Sequence, residues 1–146
     1  MKKLKQIESI DRASSDYAFI SNAWLRSYRH SAFAGKIPSE IYFYTHEPLI
    51  AKLINKSKLI IACNEDDEDQ LFGFLCYDVI DSWFICHYVY VKKVFRGMDI
   101  ATDMMKMAGL DPTIKHQASH RTTDYEVFMR KLQSPFVYNP YQLLKE

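Results

Sequence analysis

Two helical patterns open the chain. In residues 11–34, apolar side chains recur at spacings of three and four residues, after Ser and Asp residues that are suited to cap a helix. This spacing predicts a helix over Ser15–His30. Ser39 and Pro48 then mark the beginning of a second helix that ends near Asn55, with Pro48 suited to its first turn. Two helices in succession are therefore expected.

Short apolar runs replace the helical spacing from Lys58 onward. Three segments rich in β-branched and aromatic residues follow one another, KLIIACNE, QLFGFLCYDVI and SWFICHYVYVKK, and polar reversals separate them. They predict three consecutive antiparallel strands. The acidic tract Glu65–Asp69 lies at the first reversal, where a solvated hairpin tip is expected. The helical period returns in residues 100–109 and stops at Gly109.

The last third of the chain carries weaker patterns. Residues 113–123 are compatible with a strand, residues 122–132 form an amphipathic run after a capping Thr or Asp, and residues 134–144 are an aromatic segment interrupted by proline. No internal repeat or low-complexity linker divides the sequence. The order of helix, helix, three strands, helix, strand, helix and tail predicts an α+β protein with helices on the faces of a sheet.

Composition narrows the class of protein. The 146 residues are 48% hydrophobic and 25% charged, which suits one compact domain over residues 1–146. With 19 basic and 18 acidic residues, the net charge of +1 provides no general attraction to nucleic acid or to an anionic membrane. No apolar run approaches the roughly 18 to 20 residues that cross a bilayer. We expect a cytoplasmic protein without a signal peptide.

The three cysteines lie within apolar segments and lack CxxC spacing, so reduced and buried thiols are expected and no metal site is predicted. Cys76 and Cys86 are equidistant from Asp81, and a hairpin centred there would place them opposite each other. A disulfide between the strands is the less favoured alternative.

The segment HYVYVKKVFRGMDIATDMM, residues 87–105, joins an alternating apolar strand to a helix through a basic, Gly-containing turn. This segment and the element order of residues 15–135 resemble the GNAT superfamily of acetyl-CoA-dependent N-acetyltransferases. The family turn has Arg or Gln, two variable residues, Gly, one variable residue, then Gly or Ala. Here it spans 96–101, with Asp99 in place of the central Gly. The resemblance implies a GNAT-like fold whose mixed central sheet is largely antiparallel.

The resemblance also implies a site for acetyl-CoA. Successive backbone N–H groups at a helix beginning, together with the positive end of the helix dipole, bind the pyrophosphate of coenzyme A, and the preceding strand binds the pantetheine arm through its backbone. The predicted cofactor-binding residues are Val89, Val91, Arg96, Gly97, Met98, Ile100 and Ala101.

Asp99 decides how well this turn suits a phosphate. A carboxylate about 5 Å from a phosphate, at an effective dielectric near 20, costs about 3 kcal/mol before salt screening. Asp is also a strong N-cap, and its side chain is expected to accept hydrogen bonds from the amides of Ala101 or Thr102. In that case the protein supplies its own anion at the predicted phosphate site.

Two residues are candidates for the chemistry that the family performs. His87 lies nine residues before Arg96 on the strand, where arylalkylamine-type family members carry a His, and it is a candidate base; the alternative is a strand His bonded to a neighbour. The positions that match the family's Tyr acid hold Phe128 and Met129. Tyr125, one turn earlier, is therefore the candidate acid, with packing as its alternative role.

Two further clusters of polar residues give weaker indications of a functional site. One group lies at the carboxyl end of the first helix and comprises Arg26, Arg29 and His30, whose basic side chains interact favourably with the negative end of the helix dipole. The resemblance implies that this region borders the acceptor site. The group around His116 and His120, with Arg121 and Asp124, matches no zinc spacing, and solvated loop residues are expected there.

The primary hypothesis is an N-acetyltransferase that transfers acetyl from acetyl-CoA to an unidentified amine. The alternative is a catalytically silent GNAT-like module that binds a protein partner or takes part in virion assembly. The segments AWLRSYRHS and YNPYQLL resemble small GNAT-like proteins encoded by bacteriophages, which implies the host cytoplasm or the virion as the location. No nucleic acid or membrane partner is expected under either hypothesis.

Overall fold

The computed structural model describes residues 1–31, 34–110, 115–131, 133 and 137–145, without the side chains of residues 123 and 124. The helices and strands, in chain order, are β1 (Lys2–Ile7), α1 (Ser15–Arg29), α2 (Ser39–Lys56), β2 (Lys58–Asn64), β3 (Leu71–Ile80), β4 (Trp83–Val91), α3 (Ile100–Met107), β5 (Lys115–Ala118), α4 (Thr123–Lys131) and β6 (Val137–Tyr138). Short 3-10 turns cover Ala34–Lys36, Lys93–Phe95 and Pro140–Leu144.

All six strands form one sheet in the order β1-β2-β3-β4-β5-β6. The pairs from β1 to β4 are antiparallel, whereas β4 with β5 and β5 with β6 are parallel. The prediction of a mixed, largely antiparallel sheet with helices on its faces is therefore confirmed. None of the helices in the described part of the chain is long and apolar enough to cross a bilayer.

Each face of the sheet has its own apolar core, because alternate side chains of a strand point to opposite faces. On one face, α1 and α2 pack against the sheet, with Trp24, Leu53 and Phe74 fully buried. On the other face, α3 and α4 pack against it around Leu75 and Met104. The two helix pairs thereby enclose β4, the strand that carries the predicted site.

Local signals in the sequence set several boundaries. Ser14 caps α1 by accepting a hydrogen bond from the backbone N–H of Tyr17. Gly109 takes a φ of +94° after α3, and the N–H of Leu110 donates to the carbonyl of Met105 at 3.0 Å. This is the Schellman arrangement, which explains why the helix stops at the predicted glycine.

The placement of Pro48 in a first turn was wrong, since α2 begins at Ser39 and contains Pro48 in its interior. Proline cannot donate the helical hydrogen bond to the carbonyl four residues earlier, which belongs to Tyr44. The Tyr44 side chain is 86% exposed, so this turn lies at the protein surface, where water can satisfy the carbonyl. The helix tolerates the proline because water can hydrogen-bond to the Tyr44 carbonyl, which lacks its helical donor.

The sequence patterns gave no indication of β1, whose lysines obscure its alternation. Its register on β2 pairs Lys3 with Cys63. Lys3 and Lys5 both contact the Glu68 carboxylate, at 3.0 and 3.2 Å. The acidic tract is thus a solvated hairpin tip, as predicted, and it also meets the basic edge strand.

The hairpin between β3 and β4 turns through Asp81 and Ser82, which have φ values of 51° and 69°. Tyr77 lies opposite Cys86, and the register then shifts, so that Cys76 lies opposite Tyr88. The expected opposition of Cys76 and Cys86 was therefore wrong, because the turn has two residues and an irregularity follows. All three cysteines are free and buried.

Close approach of β3 and β4 predicts a strong effect of the substitution Gly73→Ala. A Cβ at this position would collide with the backbone oxygen of Tyr90 and lie 3.0 Å from the Cα of Val91. We expect the free energy of unfolding to fall by about 1–3 kcal/mol in urea denaturation. Gly35→Ala is the matched control, because its nearest neighbour would be 3.7 Å away. Equal effects of both substitutions would contradict the predicted collision.

Candidate functional site

The site lies where β4 loses its parallel neighbour. Backbone pairing between the two strands ends at Cys86 and Ala118, and the N–H of Ser119 makes one further bond to the Cys86 carbonyl at 3.1 Å. Strand β4 continues to Val91, and among the described residues this part of it pairs with β3 alone. Strand β5 ends at Ala118, so among the described residues no strand pairs with this edge of β4 beyond Cys86, and the edge offers backbone hydrogen-bonding groups. We call the opening beside this edge the V, and its apex is the point where the pairing with β5 ends.

A cleft of about 320 Å³ follows this edge. Residues of β4, of the loop after it, of the beginning of α3 and of α4 line the cleft: Val89, Val91, Phe95, Arg96, Gly97, Asp99, Ile100, Ala101, Thr102, Val127, Phe128 and Lys131. The structure thus gathers all the predicted cofactor-binding residues except Met98. The carbonyl of Met98 accepts a hydrogen bond from Lys2 Nζ at 3.3 Å.

The loop that closes one end of the cleft has an unusual backbone. Gly97 has a φ of +86°, and Asp99 has a φ of +60°. Among the described residues, none accepts a hydrogen bond from the backbone N–H groups of residues 97–102. Unpaired amides at a helix beginning are suited to bind an anion, and they line the cleft here.

The expected capping bond of Asp99 is absent from this structure. Asp99 is the N-cap residue of α3, but its side chain makes no cap hydrogen bond. Its left-handed backbone explains the difference, because capping side chains act from an extended backbone. It also gives a physical reason for the family's glycine at this position, which takes positive φ without strain. Asp is among the few other residues that adopt this conformation.

The charges in the cleft are mixed. Arg96 donates from Nε to the Val91 carbonyl at 3.0 Å, which ties its stem to the end of β4. Lys131 adds a second cation from α4, and Asp99 adds one carboxylate. Asp103, in the first turn of α3, is paired with Lys2 at 2.7 Å. The cleft therefore offers cations and free amides to a phosphate, opposed by the charge of Asp99.

His87 lies at the apex of the V. It is the extra residue of β4 at the register shift, and it is 3% exposed. Its Nε2 lies 3.0 Å from Asp78 Oδ2, and its Nδ1 lies 2.7 Å from Ser119 Oγ. This geometry matches the alternative role given for His87 in the sequence analysis, that of a strand histidine bonded to its neighbours. The role of His87 as a base stays a prediction.

A second pair of histidines continues from this point. Ser119 Oγ lies 3.2 Å from His120 Nδ1, and His120 Nε2 lies 2.9 Å from His46 Nε2 on α2. Burial lowers the pKa of His46 to about 4. Burial, and then the neighbouring His46 and His87, lower the pKa of His120 well below its usual value, although a bond with the His87 backbone opposes this effect. Both rings are therefore neutral near pH 7.

Aromatic rings enclose these two imidazoles. The ring of His46 stacks on Tyr28 and Tyr42, each with a centroid distance of 5.2 Å. The ring of His120 meets the edges of Trp24 and Tyr28 at 5.2 and 4.7 Å. The described side chains include no cluster of three or more His, Cys, Asp or Glu that could hold a metal ion.

The expectation of solvated loop residues was wrong for His116 and His120, which are 1% and 2% exposed. The side chain of Asp124 lies outside the described residues. Arg121 is exposed and pairs with Glu126 at 2.7 Å, so it does not join the buried histidines. The fold buries this segment because β5 lies within the sheet, which its short polar sequence did not indicate.

Tyr125 is buried in the core on the side of α3 and α4. Burial, followed by the nearby Cys86 thiol, raises the pKa of the Tyr125 phenol. A raised pKa weakens a proton donor. The role of Tyr125 as the acid stays a prediction, with packing as its alternative. Phe128, at a position that matches the family's Tyr, lines the cleft.

A second groove, of about 530 Å³, lies on the opposite side of the sheet along α1. Arg26, His30 and Tyr90 are among its lining residues. Arg29 does not line it, since its guanidinium donates to the Ala34 carbonyl at 2.7 Å and to Ser39 Oγ at 3.0 Å. Of the three basic residues that the sequence grouped together, two share this groove.

Sequence reasoning missed the contributions of α4 and of the hydrogen-bond partners of His87. Helix α4 contributes Val127, Phe128 and Lys131 to the cleft. Their helical spacing in the sequence is typical of ordinary packing and gave no sign of a site. Asp78 and Ser119 lie 9 and 32 positions from His87 and carry no motif. The antiparallel pairing of the β3–β4 hairpin could have suggested that Asp78 lies near His87. The position of Ser119 could not be inferred without the parallel register of β5 on β4.

Comparisons with known proteins identify the fold. No protein-family model and no curated protein sequence matches the chain. Among solved structures, a GNAT-family acetyltransferase of Streptococcus pneumoniae is similar with a TM-score of 0.56 at 14% identity, over 92% of this chain and 88% of that one. An aminoglycoside acetyltransferase from an uncultured soil metagenomic sample gives 0.55 at 13% identity, with the same coverage.

The apo form of YjaB from Escherichia coli gives a TM-score of 0.50 at 17% identity. The alignment covers 74% of this chain and 64% of YjaB, so this chain spans less than two thirds of that protein. These likenesses establish that the chain has the fold of the GNAT acetyltransferases. At such identities they establish the fold alone.

The buried histidine pair predicts a loss of stability in mild acid. Because the pKa values of His46 and His120 are lowered in the folded protein, the unfolded chain binds protons first as the pH falls below about 6.5. For His46 the free energy of unfolding should fall by about 1.4 kcal/mol per pH unit between pH 6.5 and 4.5, and the lowered pKa of His120 should make the fall steeper. Urea denaturation at several pH values measures this slope.

His46→Gln should make the slope shallower, because one titrating group is lost. His30→Gln is the matched control, since His30 is exposed at the end of α1 and should leave the slope unchanged. An unchanged slope in His46→Gln would show that the pair does not cause the pH dependence.

Proposed function

We propose that this chain, as one GNAT-like domain over residues 1–146, binds acetyl-CoA in the cleft beside β4 and transfers the acetyl group to a primary amine. The observation that carries the proposal is the coincidence, in one cleft, of an edge of β4 and of amides of residues 97–102 for which the described residues supply no hydrogen-bond partner. The likeness of the fold to GNAT acetyltransferases supports it.

The parts of the cleft suit the parts of coenzyme A. The free backbone groups of β4 beyond Cys86 would pair with the amides of the pantetheine arm. The amides of residues 97–102 and the positive end of α3 would bind the pyrophosphate. Arg96 and Lys131 would neutralise phosphate charge, and the apolar Val89 and Phe128 would cover the arm.

The acetyl group would reach the apex of the V, where His87 and Ser119 lie. The amine would come from the α1 side of the sheet, where Arg26 and His30 line the second groove. An amine that also carries an anionic group would suit these basic side chains.

Calorimetric titration with acetyl-CoA is the direct test. We expect saturable binding at or below millimolar ligand, and release of the CoA thiol when a panel of polyamines, arylalkylamines, amino sugars and amino acids is added. No binding at millimolar acetyl-CoA would overturn the proposal and favour a silent module. Binding without release of the thiol to any amine would retain the cofactor site and reject the reaction.

Substitutions of Asp99 should strengthen binding of acetyl-CoA. The carboxylate lines the cleft and opposes a phosphate, so both Asp99→Asn and Asp99→Gly should lower the Kd about tenfold after screening by solvent and salt. Calorimetry at low salt measures the change. Asp66→Asn, which removes the same charge at the β2–β3 turn, is the matched control and should not change the Kd.

The two Asp99 variants separate charge from backbone conformation. Asn keeps a side chain that tolerates positive φ, whereas Gly removes the strain of φ +60° and should also raise stability by about 1 kcal/mol. Tighter binding in the Gly variant alone would assign the effect to the backbone. Unchanged or weaker binding in both would refute the electrostatic account of Asp99.

A further inference from the structure

Five side chains form one continuous line of hydrogen bonds through the apex of the V. In order they are Asp78, His87, Ser119, His120 and His46, and the successive distances are 3.0, 2.7, 3.2 and 2.9 Å. The line begins on β3, crosses β4 and the end of β5, and ends on α2. The three middle residues are 1–3% exposed.

The chemistry of Asp78 gives this line a direction. An ionised carboxylate only accepts hydrogen bonds, so His87 must donate to it from Nε2. A neutral imidazole with its proton on Nε2 has its lone pair on Nδ1, and this lone pair accepts from the Ser119 hydroxyl. The Ser57 hydroxyl also donates to Asp78, at 2.8 Å, which is consistent with an ionised acceptor.

The same reasoning assigns the remaining protons. The oxygen of Ser119, whose hydrogen points to His87, accepts from His120 Nδ1. His120 Nε2 then carries the lone pair and accepts from His46 Nε2. Every hydrogen in the line therefore points toward Asp78.

In this direction the basic lone pair of a neutral His87, on Nδ1, is occupied by the Ser119 hydroxyl, so a proton can reach it only through Ser119. We propose that Ser119, His87 and Asp78 form a proton-accepting relay for the acetyl transfer, in which Ser119 Oγ is the first protein atom to receive the proton released by the acceptor amine. The inference rests on the proposed function. His120 and His46 are positioning residues, because their bond to Ser119 Oγ keeps its hydrogen directed at His87.

The location of Ser119 supports this role. Its N–H makes the last described backbone bond between β4 and the chain that follows β5, so Ser119 lies where the pairing of the two strands ends. The thioester of an arm bound along β4 would end at this apex. Ser119 is 1% exposed, and one ordered water is sufficient to connect its oxygen to the amine.

The transfer balances without a separate acid. An N–H bond of the attacking amine breaks and an O–H bond forms at the connecting water, which gives one of its own protons to Ser119. The original Ser119 O–H bond breaks at the same time, and an N–H bond forms at His87 Nδ1. Asp78 stabilises the resulting imidazolium. When the C–S bond breaks, the thiolate takes the proton back through Ser119, and His87 returns to its neutral form. This return path suits a site where Phe128 stands in place of a proton donor.

Other ionisable groups near the line remain neutral or face elsewhere. Tyr28 and Tyr42 border His46, and burial raises the pKa of both phenols. Tyr88 borders His120, and its hydroxyl lies 2.7 Å from that of Ser27. Arg29 stands over the Tyr42 ring but donates to Ala34 and Ser39. The relay thus depends on the charge of Asp78.

Imidazole 15N resonances of the full chain test the direction without any substrate. At neutral pH, we expect a proton on Nε2 of His87, on Nδ1 of His120 and on Nε2 of His46, with single His→Gln variants providing the assignments. A His87 that is doubly protonated, or protonated on Nδ1 alone, has no lone pair toward Ser119 and would overturn the relay.

Release of CoA thiol tests the catalytic role. The relay should matter most for a strongly basic alkylamine and least for hydroxylamine, whose nitrogen loses its proton readily. In Ser119→Ala, we expect kcat to fall at least about 100-fold with the best alkylamine of the panel and less than about tenfold with hydroxylamine. Ser119→Thr, which keeps the hydroxyl, should recover part of the rate. Ser9→Ala, at an exposed position outside both grooves, is the control for loss of a serine hydroxyl elsewhere.

The outcomes separate the two proposals. Wild-type protein that acetylates neither amine refutes the proposed function, and with it the role of the relay. An active wild type whose Ser119→Ala variant keeps its rate with the alkylamine refutes the relay alone. An equal loss with both amines would assign Ser119 a structural role, which also refutes the relay.

Discussion

The backbone bond from Ser119 to the Cys86 carbonyl is the constraint on which the rest of the site depends, because it is the last bond between β4 and β5. Up to this point the strands share a regular parallel ladder, and beyond it the antiparallel β3 is the one strand that pairs with β4 in the described part of the chain. A sheet that stayed closed would bury the backbone groups of β4. The early end of β5 leaves them facing a cleft between α3 and α4, and it places Ser119 at the apex.

The register shift at His87 is the second constraint. Cys86 belongs to the core beneath α3 and α4, Tyr88 belongs to the opposite core, and Val89 faces α3 and α4 again. A single extra residue in a strand changes which face each later side chain meets. Here it directs Val89 into the cleft while His87 bonds across the end of β5. The apolar wall of the cleft and the polar line of side chains therefore arise from the same irregularity.

Asp99 shows how a local conformation can change the meaning of a motif. A helix-capping carboxylate would have occupied the amides of α3, but the left-handed backbone directs the side chain away from that role. The amides remain available, and the charge lines the cleft. The protein thus retains the anion-binding backbone of the turn together with an opposing charge. Binding depends on the balance between them.

Much of the fold followed from short-range patterns. The boundaries of α1 and α3 followed from a capping serine and a glycine with positive φ, and the strands β2 to β4 followed from apolar runs, because these signals act within a few residues. Strand β1 lacked such a signal. Pro48 was misplaced because a proline inside a helix is tolerated only where the surface solvates the freed carbonyl, which a local pattern does not reveal.

The α+β class, the balance of charge and the turn at residues 96–101 were readable from the sequence, because they depend on composition and on neighbours along the chain. Only the tertiary arrangement brings Asp78 and Ser119 to His87 and joins His120 and His46 to Ser119 in turn. These residues are separated by up to 74 positions, and the register of β5 and the packing of α2 bring them together. Proton transfer requires hydrogen-bond distances in space, and no pattern along this chain encodes those distances.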